Sequence, residues 1–205
     1  MNMKKILSFF IFLTLTTPVW SFFNDTATLV EPNRMEVNLS LSPISQPGIV
    51  SYIRGGFGIY DWGASYIDVG YGSDYNGQYG VFSRLFFKIL ITEFFGGTDH
   101  VAIALGPQYH NCFGAYSSLI LSTPYKNLEF YTGLDDVINF KQKIEIPFSF
   151  LIGIKIKNLL NFIKFDNIIP SGIFEINVPL TDYADYVFSL TVQYRLNYKI
   201  LKKKD

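Results

Sequence analysis

Residues 144–156 read Ile-Glu-Ile-Pro-Phe-Ser-Phe-Leu-Ile-Gly-Ile-Lys-Ile. Every second position is large and apolar: Ile144, Ile146, Phe148, Phe150, Ile152, Ile154 and Ile156. Between them stand Glu145, Pro147, Ser149, Leu151, Gly153 and Lys155. A helix would scatter the isoleucines around its surface, whereas a strand collects them on one side. Pro147 cannot donate to a ladder, so it requires a bulge or a strand end. The run exceeds the roughly five or six residues of an ordinary strand. It also exceeds the roughly 9–11 that a tilted strand needs to cross a bilayer.

The same period recurs on both sides. In 186–199, Tyr186, Phe188, Leu190, Val192, Tyr194, Leu196 and Tyr198 alternate with Val187, Ser189, Thr191, Gln193, Arg195 and Asn197. Further strands are expected at 35–42, 49–58, 62–71, 78–89, 101–110, 113–122, 127–134 and 172–178. Turns fall at Ser45-Gln46-Pro47-Gly48, Tyr60-Asp61, residues 72–77, Asn111-Cys112, a loop around Asp135-Asp136, and residues 179–185. Residues 159–167 read as a short amphipathic helix or a loop. The sum is ten strands, with eight as the alternative if two weak ones merge.

The chain has 205 residues, enough for one domain. Lys plus Arg and Asp plus Glu are 17 each, so the net charge is zero, which argues against nucleic acid as a partner. Aromatic residues (18%) outnumber charged ones (17%), a composition suited to strands and tight turns. The single cysteine, Cys112, excludes an internal disulfide. At the start, Lys4 and Lys5 precede a mostly apolar run from Ile6 to Thr16, then Pro18 and the small-x-small group Val19-Trp20-Ser21. That is the pattern of a secretory signal peptide over 1–21, with cleavage ahead of Phe22 and a single β-barrel domain over 22–205. The apolar run is shorter than the roughly 20 residues a spanning helix requires.

The polar faces decide which way the strands point. One lumen would collect Glu36, Arg54, Asp68, Arg84, Lys88, Glu129, Glu145, Lys155, Glu175 and Arg195. Five acids against five bases suit a closed interior of paired charges, and Glu175 and Arg195, on the last two strands, are expected to be neighbours. Apolar residues would then face lipid, with Tyr194 and Tyr198 near an interfacial girdle. A sheet in lipid must also close, because an open edge leaves backbone groups unsatisfied. The expectation is an all-β, closed antiparallel up-and-down transmembrane β-barrel in a Gram-negative outer membrane. A secreted soluble β-barrel is the alternative.

Several short stretches carry a resemblance. Glu31-Pro32-Asn33-Arg34-Met35-Glu36-Val37 resembles the start of the first strand in small, functionally uncharacterised bacterial outer-membrane β-barrel proteins. Tyr60-Asp61-Trp62-Gly63 is similar to the tight turn after their second strand, and Phe174-Glu175-Ile176-Asn177 and the Tyr-rich last strand are similar too. The resemblance implies the fold, outer-membrane lipid as surroundings and the outer-membrane assembly machinery as a partner. It implies no activity. Such barrels usually end on an aromatic residue of the last strand, whereas residues 199–205 extend past Tyr198 here.

Chemistry is sparse. His100 follows Asp99, and His110 lies near Cys112, Ser117 and Ser118, but no spacing selects a base, an orienting acid and a nucleophile. The two histidines and one cysteine form no zinc pattern, and Asp135-Asp136 reads as a solvated turn rather than a calcium loop. Gly55-Gly56-Phe57-Gly58 precedes no helix and is no phosphate loop. No catalytic residue, metal or cofactor is assigned. The expected role is structural or unassigned, with the lumen charges forming a plug; a narrow channel for small solutes and a lipid-modifying enzyme are the alternatives.

Overall fold

The computed structural model describes residues 26–44, 48–73, 78–94, 99–140, 146–159, 168–182, 184 and 186–196. The expected signal peptide, Glu145, most of 159–167 and the lysine-rich tail lie outside the described residues.

Ten strands form one closed antiparallel barrel: β1 (Met35–Ile44), β2 (Gly48–Tyr60), β3 (Gly63–Ser73), β4 (Tyr79–Phe94), β5 (Asp99–His110), β6 (Phe113–Tyr125), β7 (Leu128–Asn139), β8 (Phe148–Lys157), β9 (Ile168–Pro179) and β10 (Val187–Leu196). Each strand pairs with its sequence neighbours, and β10 returns to β1. That closure is reinforced inside the barrel by Ser40 with Thr191 at 2.6 Å and Ser42 with Ser189 at 2.8 Å. We call the end where β1 begins and β10 stops the lower end, and the opposite end the upper.

Local chemistry explains most boundaries. Pro147 stands just ahead of β8, at the strand end its missing N–H requires. Two-residue turns join β5 to β6 and β6 to β7, with Asn111 (φ 57°) and Lys126 (φ 54°) in the left-handed conformation such turns demand. Tyr60-Asp61-Trp62 closes the β2–β3 hairpin, and its two rings stack at 4.9 Å.

Strands β4 and β9 run several residues beyond the expected spans, to Phe94 and back to Ile168, and β7 departs from the sequence reading in kind. The loop expected around Asp135-Asp136 is strand, because β7 continues to Asn139. Two adjacent acids break the visible alternation, yet a strand sends neighbours to opposite faces. Asp135 points inward and is fully buried, while Asp136 points outward and is half-buried.

The faces invert the pattern of a soluble barrel. Ile53 (56% exposed), Ile67, Val69 and Leu85 lie on the outside, while Glu36, Arg54, Asp68 and Lys88 have no exposed surface. The outward residues named from 144–156 follow this rule, with Ile146 and Ile152 exposed and Phe148, Phe150 and Ile154 partly so.

Candidate functional site

The interior is built in layers, each set by strand register. In the upper half, β2, β3 and β4 place Arg54, Asp68 and Arg84 directly opposite one another. Arg54 donates from Nε to Asp68 Oδ1 at 2.6 Å and from Nη2 to Oδ2 at 3.0 Å. Arg84 donates to Oδ2 from Nε at 2.9 Å and from Nη2 at 2.7 Å. One carboxylate thus receives two forked guanidinium groups, the geometry in which charge-assisted bonds are strongest. Aromatic faces cover the rest of the charge. The Arg84 guanidinium carbon lies 4.0 Å from the Tyr116 ring centroid, and that of Arg54 lies 5.0 Å from Phe86. Phe86 in turn stacks on Tyr66 at 4.9 Å. Asp135, buried on β7, lies near enough to Arg84 to act on its charge.

Glu36 forms a second group across the β1–β10 seam. It accepts from Arg195 Nη2 at 3.3 Å and from Gln193 Nε2 at 3.2 Å. Glu175 accepts from the Tyr131 hydroxyl at 2.9 Å and from Asn177 Nδ2 at 3.0 Å. Lys155 is buried opposite Glu129 in the β7–β8 register.

The sequence reading expects Glu175 beside Arg195, and the structure overturns it. In the β9–β10 hairpin Glu175 pairs with Ser189, and Arg195 pairs with Ile169. The six residues from 189 to 195 separate them by about 20 Å along the strand at the usual rise. Adjacent strands make neighbours only of residues in the same row, and the length of the connecting loop sets the row.

The lower half contains an element that strand patterning does not reveal. Residues 26–30, ahead of β1, run inside the barrel. Lys88 Nζ donates to the Thr26 carbonyl at 2.9 Å and to that of Thr28 at 3.2 Å. The Thr28 hydroxyl donates to Glu129 Oε1 at 2.6 Å, and Ser122 donates to the same oxygen at 3.0 Å. Ala27, Leu29 and Val30 pack in one apolar cluster with Tyr66, Phe86, Ile120 and Leu151. The segment leaves through the lower mouth along Gly58, where Asn33 donates its N–H to the Gly58 carbonyl at 2.9 Å. A Cβ at Gly58 would run into the Glu31 carbonyl, so only glycine admits this approach. The available signal was the run of small and apolar residues Ala27-Thr28-Leu29-Val30 just before the first strand. At the upper end, Ala184 from the β9–β10 connection is buried with Tyr52, Phe82 and Val187.

Of the ten expected lumen charges, Glu36, Arg54, Asp68, Arg84, Lys88, Glu129, Lys155 and Glu175 are buried inside. Arg195 stands nearer the lower mouth, its side chain 20% exposed, and Glu145 is not among the described residues. Asp135 joins them from the segment read as a loop.

The nucleophile and base candidates are not brought together. His110 approaches the Gly72 carbonyl at 3.3 Å and packs edge-on against Phe82. Ser118 pairs with Ala104, six residues down the strand from His110, and donates to the Leu134 carbonyl. Ser117 faces outward. Among the described residues, no three His, Cys, Asp or Glu side chains gather as a metal site would require.

No protein family matches the sequence, and no curated protein is detectably similar to it. A solved structure reported under "De novo design of transmembrane beta-barrels" aligns with 81% of this chain and 98% of its own, at 10% identity and a TM-score of 0.37.

Proposed function

We propose that the chain is an outer-membrane β-barrel of Gram-negative bacteria, exported through a cleaved leader over residues 1–21, with a structural role and a sealed lumen. The observation that carries this reading is an apolar outer wall banded by aromatic residues around a charged, filled interior. Tyr60, Trp62 and Tyr125 are exposed at the lower ends of β2, β3 and β6, and Tyr71, Tyr79, Tyr109 and Phe113 at the upper ends of β3 to β6. Aromatic girdles of this kind mark the two interfaces of a bilayer. A water-soluble barrel would have to expose the whole isoleucine and leucine band between them, well beyond the few hundred Å² that soluble monomers tolerate. The small resembling barrels of bacterial outer membranes share this plan, and the assembly machinery of that membrane is the expected folding partner.

The lumen favours a strut over a conduit. Residues 26–30 lie in its lower part, Ala184 packs with Tyr52 and Phe82 in its upper part, and the Arg54–Asp68–Arg84 layer lies between them. The test is fractionation followed by electrophysiology. The protein should stay with urea-washed outer membranes and migrate faster on a gel before boiling than after. In planar bilayers it should give no steady conductance. Recovery in the soluble periplasm would overturn the membrane assignment, whereas a stable conductance step would overturn the sealed lumen alone.

A further inference from the structure

We infer that the lower lumen is a preformed site for one short peptide, that residues 26–30 fill it in cis as a separable strap, and that a free peptide of the same pattern fills it once the strap is withdrawn. The site lies inside the wall, so it is independent of what surrounds the barrel.

The strands make the room. Ala64 on β3 and Ala102 and Ala104 on β5 point into the lower half, and all are fully buried. Barrels of this size fill their interior with side chains. Methyl groups at these positions instead leave a passage, which Ala27, Leu29 and Val30 fill. Lys88 stands between two of the alanines, paired with Ala64 on one side and Ala104 on the other. Its ammonium lies 4.8 Å from the centre of the Tyr66 ring, which itself stacks on Phe86. The wall therefore positions this donor with groups of its own.

What the wall reads is chiefly main chain. Lys88 donates to the carbonyls of Thr26 and Thr28, groups that any peptide carries, and a bend at Ala27 lies between them. One side chain is read as well. Glu129 Oε1 accepts from the hydroxyls of Thr28 and Ser122, so the site selects serine or threonine at that position. The apolar cluster takes a small residue before it and two aliphatic residues after it. The strap gives nothing to the sheet in return. Residues 26–30 pair with no strand, and each of the ten strands has both its neighbours without them. The strands close the barrel by themselves. The strap is held as a ligand is held, by side chains, and is tied to β1 through residues 31–34.

The test uses the full mature barrel in detergent, where the lower mouth is open to solution. The probe is a synthetic peptide with the sequence of residues 26–32, carrying a fluorophore at the C-terminal end that leaves through the mouth. In wild type the tethered strap is present at an effective concentration of about millimolar, and micromolar peptide should not bind. Leu29→Asp puts a charge into the apolar cluster and should expel the strap while leaving every strand unchanged. That barrel should bind the native peptide saturably, one per barrel. Adding Lys88→Ala should weaken binding by about tenfold or more. Replacing the hydroxyl in the peptide, Thr28→Val, should weaken it several-fold without touching the barrel. Gly58→Ala offers a second route, because it presses on the Glu31 carbonyl at the exit and leaves the site intact, and it too should admit the peptide. Heat-modifiable migration verifies that each variant has folded. A folded Leu29→Asp barrel that takes up the native peptide no better than wild type does, or no better than a scrambled peptide, overturns the inference. So does binding indifferent to Lys88→Ala or to the loss of the peptide hydroxyl. If Leu29→Asp and Gly58→Ala both fail to fold, the segment is part of the core rather than a ligand, and the inference falls on that ground.

Discussion

Asp68 is the residue on which the upper lumen turns. It has no exposed surface, and both guanidinium groups aimed at it are nearly as deeply enclosed. Removing one partner from a buried ion group leaves uncompensated charge, and the loss exceeds what the intact pair contributes. Asp68→Ala should therefore destabilise the barrel by about 3–5 kcal/mol. Glu31→Ala breaks a bridge whose acid is 58% exposed, and should cost about 1 kcal/mol or less. Urea unfolding midpoints of the two variants in one detergent compare them directly. Similar midpoints would show that the arginines find another counter-charge when Asp68 is gone.

At the scale of elements, the segment at 26–30 is held differently from the strands. It donates to no ladder, and its described anchors are Lys88, Glu129, the apolar contacts of Ala27, Leu29 and Val30, and the crossing at Gly58. Segments with few anchors open more readily than the sheet around them. A thiol at Ala27→Cys, with Cys112→Ser, should be protected from a membrane-impermeant maleimide. Adding Lys88→Ala removes both donations to the carbonyls of Thr26 and Thr28 and should speed labelling by about tenfold or more. Gly58→Ala should do the same from the other end of the segment, through the clash with the Glu31 carbonyl. Fast labelling without either substitution would mean that the segment does not rest inside the barrel.

Two measurements read the whole molecule against its surroundings. In a chain that starts at Phe22, Trp62 is the single tryptophan, because the other is Trp20. Trp62 is 52% exposed on the lower girdle, stacked on Tyr60. Its fluorescence should be quenched more by lipids brominated near the headgroup than by those brominated near the chain ends. Quenching that increased with depth would misplace the girdle. The second measurement probes the middle of the wall. Val69→Arg, on the outward face of β3, should cost about 2–4 kcal/mol in the equilibrium for folding into vesicles. Tyr71→Arg, one outward row higher at the girdle, should cost about 1 kcal/mol or less. Equal costs would argue that no depth-dependent apolar phase surrounds the barrel.

What the sequence determined by itself is the class of the molecule and the direction its faces point. Period-two alternation is a local property of the strand, so Ile152 with Lys155, or Leu190 with Arg195, reveals which side each occupies without knowledge of any neighbour. Turn chemistry is equally local, and Asn111-Cys112 and Pro147 mark their boundaries from the residues alone. Rows are different. Which residues meet across strands depends on loop length and barrel stagger, so the partner of Glu36 proved to be Arg195, and Glu175 lay six residues away from it in the hairpin. Asp135 entered the lumen because β7 has partners on both sides beyond the point where its own pattern weakens. The segment at 26–30 lies within the barrel because Lys88 and Glu129, some 60 and 100 residues later in the chain, hold its backbone and hydroxyl groups. Facing is decided by the geometry of one strand, whereas pairing is decided by the closure of all ten.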